Sequence, residues 1–160
     1  MKQFPAASKP SRAEASAAPE HPATAPLTHL TIYTDGASRG NPGEAGAGVI
    51  MYNSRGEVIK KIKTYLGVTT NNVAEYMALI IALKEALTLK VDALHLYSDS
   101  ELMVRQIKGI YKVKDKKMQV LSGRVQKLLS HFSHYDILSI DRRENREADM
   151  LANLAIDEKD

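Results

Sequence analysis

Four acidic residues stand where the sequence pattern predicts that strands end or helices begin. Asp35 and Asp99 each end a predicted strand, whereas Glu75 and Asp149 each fall in the first turn of a predicted helix. Carboxylates with no histidine or cysteine beside them are typical ligands of a hard cation such as Mg²⁺ or Mn²⁺. Two such ions about 4 Å apart would form a site for phosphoryl transfer. One interpretation of the four acids is therefore a metal site of this kind.

Each acid also has an ordinary structural interpretation. Unpaired N–H groups and the helix macrodipole favour acids at helix N-termini, where Glu75, Asp99 and Asp149 are all predicted to lie. The neighbouring residues favour the chemical interpretation, because Asp35 is followed by Gly36 and a glycine-rich stretch and Glu75 is preceded by a Thr-Thr-Asn-Asn run. Four bare carboxylates at one point would repel each other, and a bound cation removes that repulsion.

The elements that would position these acids follow a change of composition near Leu27. Residues 1–26 hold five of the six prolines and eight alanines, which is typical of a disordered tail. Residues 27–160 are predicted to form one domain, and without cysteine the chain has no disulfide or thiolate metal site. The tail lacks the apolar core of a secretory signal and no apolar run is long enough to span a membrane. We expect a cytoplasmic, monomeric protein without membrane association.

Runs of β-branched and aromatic residues predict three strands, and a change to helical spacing then predicts an alternation of helices and strands. The first three strands form an antiparallel meander with a turn at residues 53–56. A long, mostly buried helix follows, with Asn72 as its N-cap and Glu75 completing a capping box. After a strand at 93–98 and two further helices, a last strand leads to a final helix capped by Asn145. This order predicts an α/β fold with a five-stranded mixed sheet, in which strands 1–3 are antiparallel and strands 4 and 5 are parallel, flanked by helices.

The net charge gives weaker information about partners. Residues 27–160 contain 19 basic and 17 acidic residues, a net charge of +2. If four acids face metal ions, the remainder of the domain carries +6, which suits a phosphate backbone.

The acids lie in four stretches with distinctive small and polar neighbours: YTDGASRGNPG at 33–43, TNNVAEY at 70–76, LYSDS at 96–100 and RRENREADMLA at 142–152. In this order they closely resemble the motifs of type 1 ribonuclease H, over residues 28 to about 156. The resemblance implies the ribonuclease H fold and a metal-dependent endonuclease that cuts the RNA strand of RNA–DNA hybrids. Its products would carry 5′-phosphate and 3′-hydroxyl ends.

The resemblance also assigns roles to individual residues. Asp35, Glu75, Asp99 and Asp149 match the family's catalytic acids and would hold two Mg²⁺ ions, or Mn²⁺ in their place, with Asp35 bridging them. The positions matched to substrate contacts are Gly36, Ser38, Asn41, Thr70, Asn71 and Asn72. Within that set, the three asparagines would contact the minor groove, where the RNA 2′-hydroxyl groups lie, and the threonine would contact a DNA phosphate. For Asn72, helix capping and substrate contact are equally good interpretations.

Two departures from the family pattern stand out. Many members carry a mobile histidine before the last helix, but here that loop reads Asp-Arg-Arg-Glu at 141–144. Arg142 is the best positional match for an arginine that replaces this histidine, although Arg143 is an alternative. Some members also carry a basic protrusion, which this chain lacks: it has only four lysines between Gly109 and Met118. These lysines are expected to be a solvated connection rather than a grip on DNA.

Two rival functions remain open at this point. A binding module could keep the fold without catalysis, although an intact set of four acids argues against it. A related nuclease acting on DNA or on double-stranded RNA would share the metal chemistry and differ only in groove recognition.

Overall fold

A five-stranded sheet organises residues 28–159, the part of the chain that this computed structural model describes. The strands are β1 (His29–Ser38), β2 (Gly43–Tyr52), β3 (Val58–Thr69), β4 (Ala93–Ser98) and β5 (His134–Ser139). The helices are α1 (Asn71–Thr88), α2 (Glu101–Ile107), α3 (Lys116–Leu129) and α4 (Arg146–Asp157), with a short 3-10 turn at Arg142–Glu144. The tail predicted at residues 1–26 lies outside the described residues.

The strand order across the sheet is β3-β2-β1-β4-β5. Both β1 with β2 and β2 with β3 pair antiparallel, whereas β4 runs parallel to β1 and to β5. The predicted fold class is therefore confirmed. Crossover helices are needed to return the chain between parallel strands, which explains why helices interrupt the second half of the sequence and not the first.

The end of β1 differs from the prediction. Asp35 was expected to end the strand, but β1 continues to Ser38 because Asp35 pairs with Gly48 of β2. The parallel pairing with β4 does stop there, since its last pair joins Thr34 to Ser98. Asp35 and Asp99 are consequently the first residues past the point where β1 and β4 separate. Ligand sites of open α/β sheets lie at such a point.

The first turn of α1 also differs from the prediction. Its N-cap is Thr70, whose side chain accepts a hydrogen bond from the Val73 N–H at 3.2 Å. Asn72 is the second residue of the helix and lies past the N-cap position, so it does not cap. Its side chain is exposed. Capping therefore involves a threonine that the sequence resemblance matched to a phosphate contact.

The core lies on both faces of the sheet. Helix α1 packs across β1 and β2 on one face, where its buried residues include Ala78, Leu79 and Leu83, and α2 and α3 lie on the same side. Helix α4 covers the other face, mainly over β2. No helix among residues 28–159 is long and apolar enough to cross a membrane.

Two glycines of β2 allow α4 to approach the sheet closely. A Cβ at Gly48 would stand 2.1 Å from the Ala148 carbonyl oxygen, and one at Gly46 would stand 2.3 Å from the Ala152 carbonyl oxygen. Both obstacles are backbone atoms, which cannot turn aside as a flexible side chain would. Because α4 carries Asp149, this close contact also determines the distance between that acid and β1.

Replacing Gly48 with alanine is expected to lower the free energy of unfolding by about 2–3 kcal/mol, because the added methyl group pushes α4 off the sheet. Gly123 offers a matched comparison. It lies inside α3, and a Cβ at this position would meet no neighbouring group within 4 Å, so Gly123→Ala is expected to raise the free energy of unfolding by about 0.5–1 kcal/mol. Urea denaturation of both variants measures the two changes, and equal effects would contradict the packing argument.

Candidate active site

The fold brings all four predicted acids to one cleft. Asp35 comes from β1, Glu75 from α1, Asp99 from the residue after β4 and Asp149 from α4, and the cleft that they line has a volume of about 420 Å³. One carboxylate oxygen from each of Asp35, Glu75 and Asp99 lies within 4.8 Å of the other two. Asp149 lies close enough to Asp35 for a side-chain hydrogen bond.

Gly36 determines where Glu75 lies. The Gly36 N–H donates a 2.8 Å hydrogen bond to Oε1 of Glu75. A Cβ at position 36 would stand 2.2 Å from the Ala74 carbonyl carbon, so only glycine lets α1 pass this close to β1. Gly36 lines the cleft as expected, and its own N–H is used to orient a carboxylate.

Asp99 is oriented by a residue for which the sequence analysis predicted another task. Asn145 precedes α4, but its side chain makes no capping hydrogen bond. Its Nδ2 instead donates to the Thr34 carbonyl oxygen at 2.8 Å and to Oδ2 of Asp99 at 3.3 Å. Asn145 therefore occupies the N-cap position of α4 as predicted, but its buried side chain, only 1% exposed, binds Thr34 and Asp99 and not the N–H groups of the helix.

Two of the four acids, Asp35 and Glu75, have raised pKa values. Burial first, and then the negative charges of Glu75 and Asp99, raise the pKa of Asp35 far above its ordinary value. Burial also raises the pKa of Glu75, although the Gly36 N–H and the charge of Arg142 partly oppose this. Among the described residues, none of the ion pairs joins one of the four acids to a basic side chain.

This donor set fits a divalent metal ion. Three carboxylate oxygens converge, two of the three residues are buried, and the described part of the chain provides no paired cation to neutralise them. An all-oxygen set matches hard cations such as Mg²⁺, Mn²⁺ or Ca²⁺, not zinc. The cleft therefore has the chemistry of a divalent cation site.

The two arginines of the 3-10 turn face different surroundings. Arg142 lines the cleft with the four acids. Arg143 pairs with Asp141, with 3.3 Å between Nε and Oδ1, and lines a separate cavity beside Tyr33. His131 and His134 are exposed and do not line the cleft. Of the candidates to replace the loop histidine, Arg142 alone shares the cleft with the acids.

The residues predicted to contact substrate surround the cleft to different degrees. Ser38 and Asn71 line it, and the Ser38 hydroxyl lies 2.9 Å from the Thr69 carbonyl oxygen that it can donate to. Asn41 and Asn72 are exposed and do not line the cleft, but Oδ1 of Asn41 accepts a 3.1 Å hydrogen bond from the Asn71 N–H. Asn41 therefore contacts a residue that lines the cleft, and Asn72 directly follows that residue in the chain.

Asn153 also lines the cleft, although no motif of the sequence predicted a role for it. Its Nδ2 donates to the carboxylate of Asp149 at 3.3 Å. The available signal was spacing, because residues four apart on a helix lie on the same face.

Comparison with known proteins places this geometry in a family. A family model described as reverse transcriptase-like matches residues 33–155. The chain is 38% identical over 126 residues to ribonuclease HI of Halobacterium salinarum, a match that covers 79% of this chain and 63% of that protein. It is 39% identical over 129 residues to a Mycobacterium tuberculosis protein described as bifunctional, covering 80% of this chain and 35% of that protein. The chain thus spans less than two thirds of these curated relatives.

Solved structures of ribonucleases H1 have a similar fold. The crystal structure of ribonuclease H1 from Halobacterium salinarum is similar with a TM-score of 0.79 and 37% identity, covering 81% of this chain and 98% of that chain. The chain belongs to the type 1 ribonuclease H family. A compost-derived ribonuclease H1, solved in complex with an RNA/DNA hybrid, is similar with a TM-score of 0.77 and 38% identity, covering 81% of this chain and 98% of that chain.

Within the type 1 ribonuclease H family, this chain has the short form predicted from its sequence. The connection between α2 and α3 spans only residues 108–115, and Asp115 caps α3 by accepting a 3.0 Å hydrogen bond from the Met118 N–H. There is no room for a basic helical protrusion between these two helices. The lysines of this region, Lys112, Lys114, Lys116 and Lys117, are exposed to solvent.

Proposed function

We propose that this chain is a metal-dependent endonuclease that hydrolyses the RNA strand of RNA–DNA hybrids and leaves 5′-phosphate and 3′-hydroxyl ends. The observation that carries the proposal is the convergence of Asp35, Glu75, Asp99 and Asp149 in one open cleft of a type 1 ribonuclease H domain. A related ribonuclease H1 has been solved with an RNA/DNA hybrid, which supports this choice of substrate.

The four acids would hold two Mg²⁺ ions, with Mn²⁺ able to take their place. When bound, the ions would supply a nucleophilic water and stabilise the leaving 3′ oxygen. The protein's own contribution is the arrangement of the carboxylates: the Gly36 N–H orients Glu75, and the Asn145 amide orients Asp99. Such fixed donors keep ligands in place without reorganisation during the reaction.

Substrate recognition would use residues of the cleft and their neighbours. The Asn71 backbone N–H donates a hydrogen bond to the Asn41 side chain, which joins the loop after β1 to the start of α1. Asn41, Asn71 and Asn72 would meet the minor groove, where 2′-hydroxyl groups distinguish RNA from DNA. Thr70 would contact a DNA phosphate, and Ser38 and Gly36 would border the scissile region.

Arg142 would act on the phosphate by its charge. A guanidinium stays protonated, so it cannot serve as a general base as a histidine can. Arg142→Ala is expected to lower kcat about tenfold, since it removes a charge that faces the reacting phosphate. Arg143→Ala is the matched control and should retain the kcat of the wild type, because Arg143 pairs with Asp141 outside the cleft. Steady-state cleavage of labelled hybrid measures both, and a larger loss for the Arg143 variant would reverse the assignment.

The proposed function is tested by incubating the protein with end-labelled RNA–DNA hybrid, duplex DNA and duplex RNA, in Mg²⁺, in Mn²⁺ and in chelator. Cleavage confined to the RNA of the hybrid and dependent on metal is the expected result. Binding of the hybrid without any cleavage would favour a binding module instead. The cytoplasmic location and the monomeric state expected from the sequence remain predictions.

A further inference from the structure

Asn153 makes two contacts with Asp149 from the next turn of α4. Its Nδ2 donates to the Asp149 carbonyl oxygen at 3.0 Å and to the Asp149 carboxylate Oδ1 at 3.3 Å. Asp149 is only half-buried, whereas Asp35 and Glu75 are buried. The carboxylate of Asp149 therefore has more freedom to turn than those of the buried acids, and the Asn153 amide restricts that freedom.

Arg39 determines which way the Asn153 amide faces. Nη2 of Arg39 lies 3.3 Å from the Asn153 carbonyl oxygen and 3.4 Å from its Oδ1. A guanidinium has donors and no acceptor, so the amide must turn its oxygen toward Arg39 and its NH₂ group toward Asp149. The other side of the guanidinium is held by Asp157, with 2.7 Å between Nη1 and Oδ1.

The same arginine belongs to the loop that carries Asn41. The Arg39 N–H donates to the Glu44 carbonyl oxygen at 2.8 Å, which closes the turn between β1 and β2. The Arg39 side chain then crosses to α4. One residue thus connects the loop of Asn41 with the helix that carries Asp149.

We propose that Asn153 is a positioning residue that orients the Asp149 carboxylate for metal binding. Arg39 keeps the Asn153 NH₂ group turned toward Asp149 and also anchors the loop that carries Asn41. The proposal rests on the proposed function. Partners that hydrogen-bond metal-ligating carboxylates change metal affinity or activity by about ten- to a hundredfold when they are removed. Exposed ion pairs by themselves contribute little to stability. If Arg39 had only a structural role, its removal would therefore leave metal affinity and activity almost unchanged.

The test compares Asn153→Ala, Arg39→Ala and the double variant with the wild type. Two quantities are measured for each: kcat and KM on an RNA–DNA hybrid, and the affinity for Mg²⁺ from calorimetric titration of the protein alone. For Asn153→Ala we expect kcat to fall about tenfold with KM almost unchanged, and the Mg²⁺ dissociation constant to rise severalfold. For Arg39→Ala we expect a smaller change in both, together with a higher KM because the Asn41 loop loses its anchor.

Two controls complete the design. Lys63→Ala removes another ion pair, that of Lys63 with Glu158 directly after α4, and should leave kcat and Mg²⁺ affinity unchanged. Asn153→Asp keeps the size and the acceptor for Arg39 but removes the donor to Asp149, so its kcat should fall as in the alanine variant. This second variant also serves if the alanine variant does not fold.

The outcomes test the roles of Asn153 and Arg39 separately from the proposed function. Asn153 and Arg39 are coupled if the double variant has the kcat of Asn153→Ala, whereas fully additive losses would overturn the role of Arg39. Wild-type kcat and Mg²⁺ affinity in both Asn153 variants would overturn the role of Asn153. If the wild type binds Mg²⁺ but never cleaves hybrid, the proposed function fails, and the calorimetric titrations still decide whether Asn153 orients a metal ligand.

Discussion

Replacing Asp35 with asparagine is expected to lower the cleavage rate at least about a thousandfold, or about 4 kcal/mol of transition-state stabilisation, and at the same time to stabilise the metal-free protein. Asp35 is 4% exposed and faces three other carboxylates, so the site would lose a ligand that no neighbour replaces. The amide has nearly the same shape, and its NH₂ group can donate to the remaining carboxylates. Loss of activity would therefore not result from loss of the fold.

The measurement is a pair of experiments on the same protein. Hybrid cleavage in Mg²⁺ gives the activity, and thermal unfolding in chelator and in Mg²⁺ gives the stability. The variant should have a higher Tm than the wild type in chelator and a much smaller increase of Tm on addition of Mg²⁺. Asp92→Asn is the control, because it removes the charge of an exposed aspartate far from the cleft and should change neither quantity. Full activity in the Asp35 variant would contradict both the metal site and the proposed function.

The metal-free protein is expected to lose stability as the pH rises from about 5 to about 8. Burial and mutual repulsion raise the pKa of Asp35 and of Glu75 in the folded state. In this range the folded state holds protons that the unfolded chain has released, so the free energy of unfolding falls with pH, by at most about 1.4 kcal/mol per pH unit for each such carboxyl group. Divalent cations replace the protons, so Mg²⁺ should remove most of the decline at the upper end of the range.

Other groups act in the opposite direction and need a control. Burial lowers the pKa of His95, and hydrogen bonds or ion pairs lower the pKa of Glu44, Glu85 and Asp141. Stability from those acids is present above their unfolded pKa, and solvent screening keeps it small. Chemical denaturation at several pH values in chelator, with Asp35→Asn alongside, isolates the contribution of the cluster. If the free energy of unfolding falls equally steeply with pH in the wild type and in the variant, Asp35 is ionised in the folded protein.

Much of the fold follows from short-range patterns. Short runs rich in β-branched and aromatic residues in the strands and helical spacing in α1 predicted the order of elements correctly, because each element must bury apolar side chains of its own. The same patterns failed at element ends. Thr70 caps α1 although Asn72 was expected to, and β1 extends past Asp35 because β2 continues to pair with it. Such ends depend on which partner strand is present, and a single segment contains no information about that.

By itself the sequence determined which residue types are available for chemistry: four acids at predicted element ends, no cysteine, and two arginines in the loop before the last helix. Only the tertiary structure decided that these acids meet in one cleft, that Arg142 faces them while Arg143 does not, and that Asn145 and Asn153 hold two of the carboxylates. The physical reason is that a carboxylate's direction depends on donors from other segments. Those donors are brought close by the glycines at positions 36 and 48, which let α1 and α4 pack directly against backbone atoms.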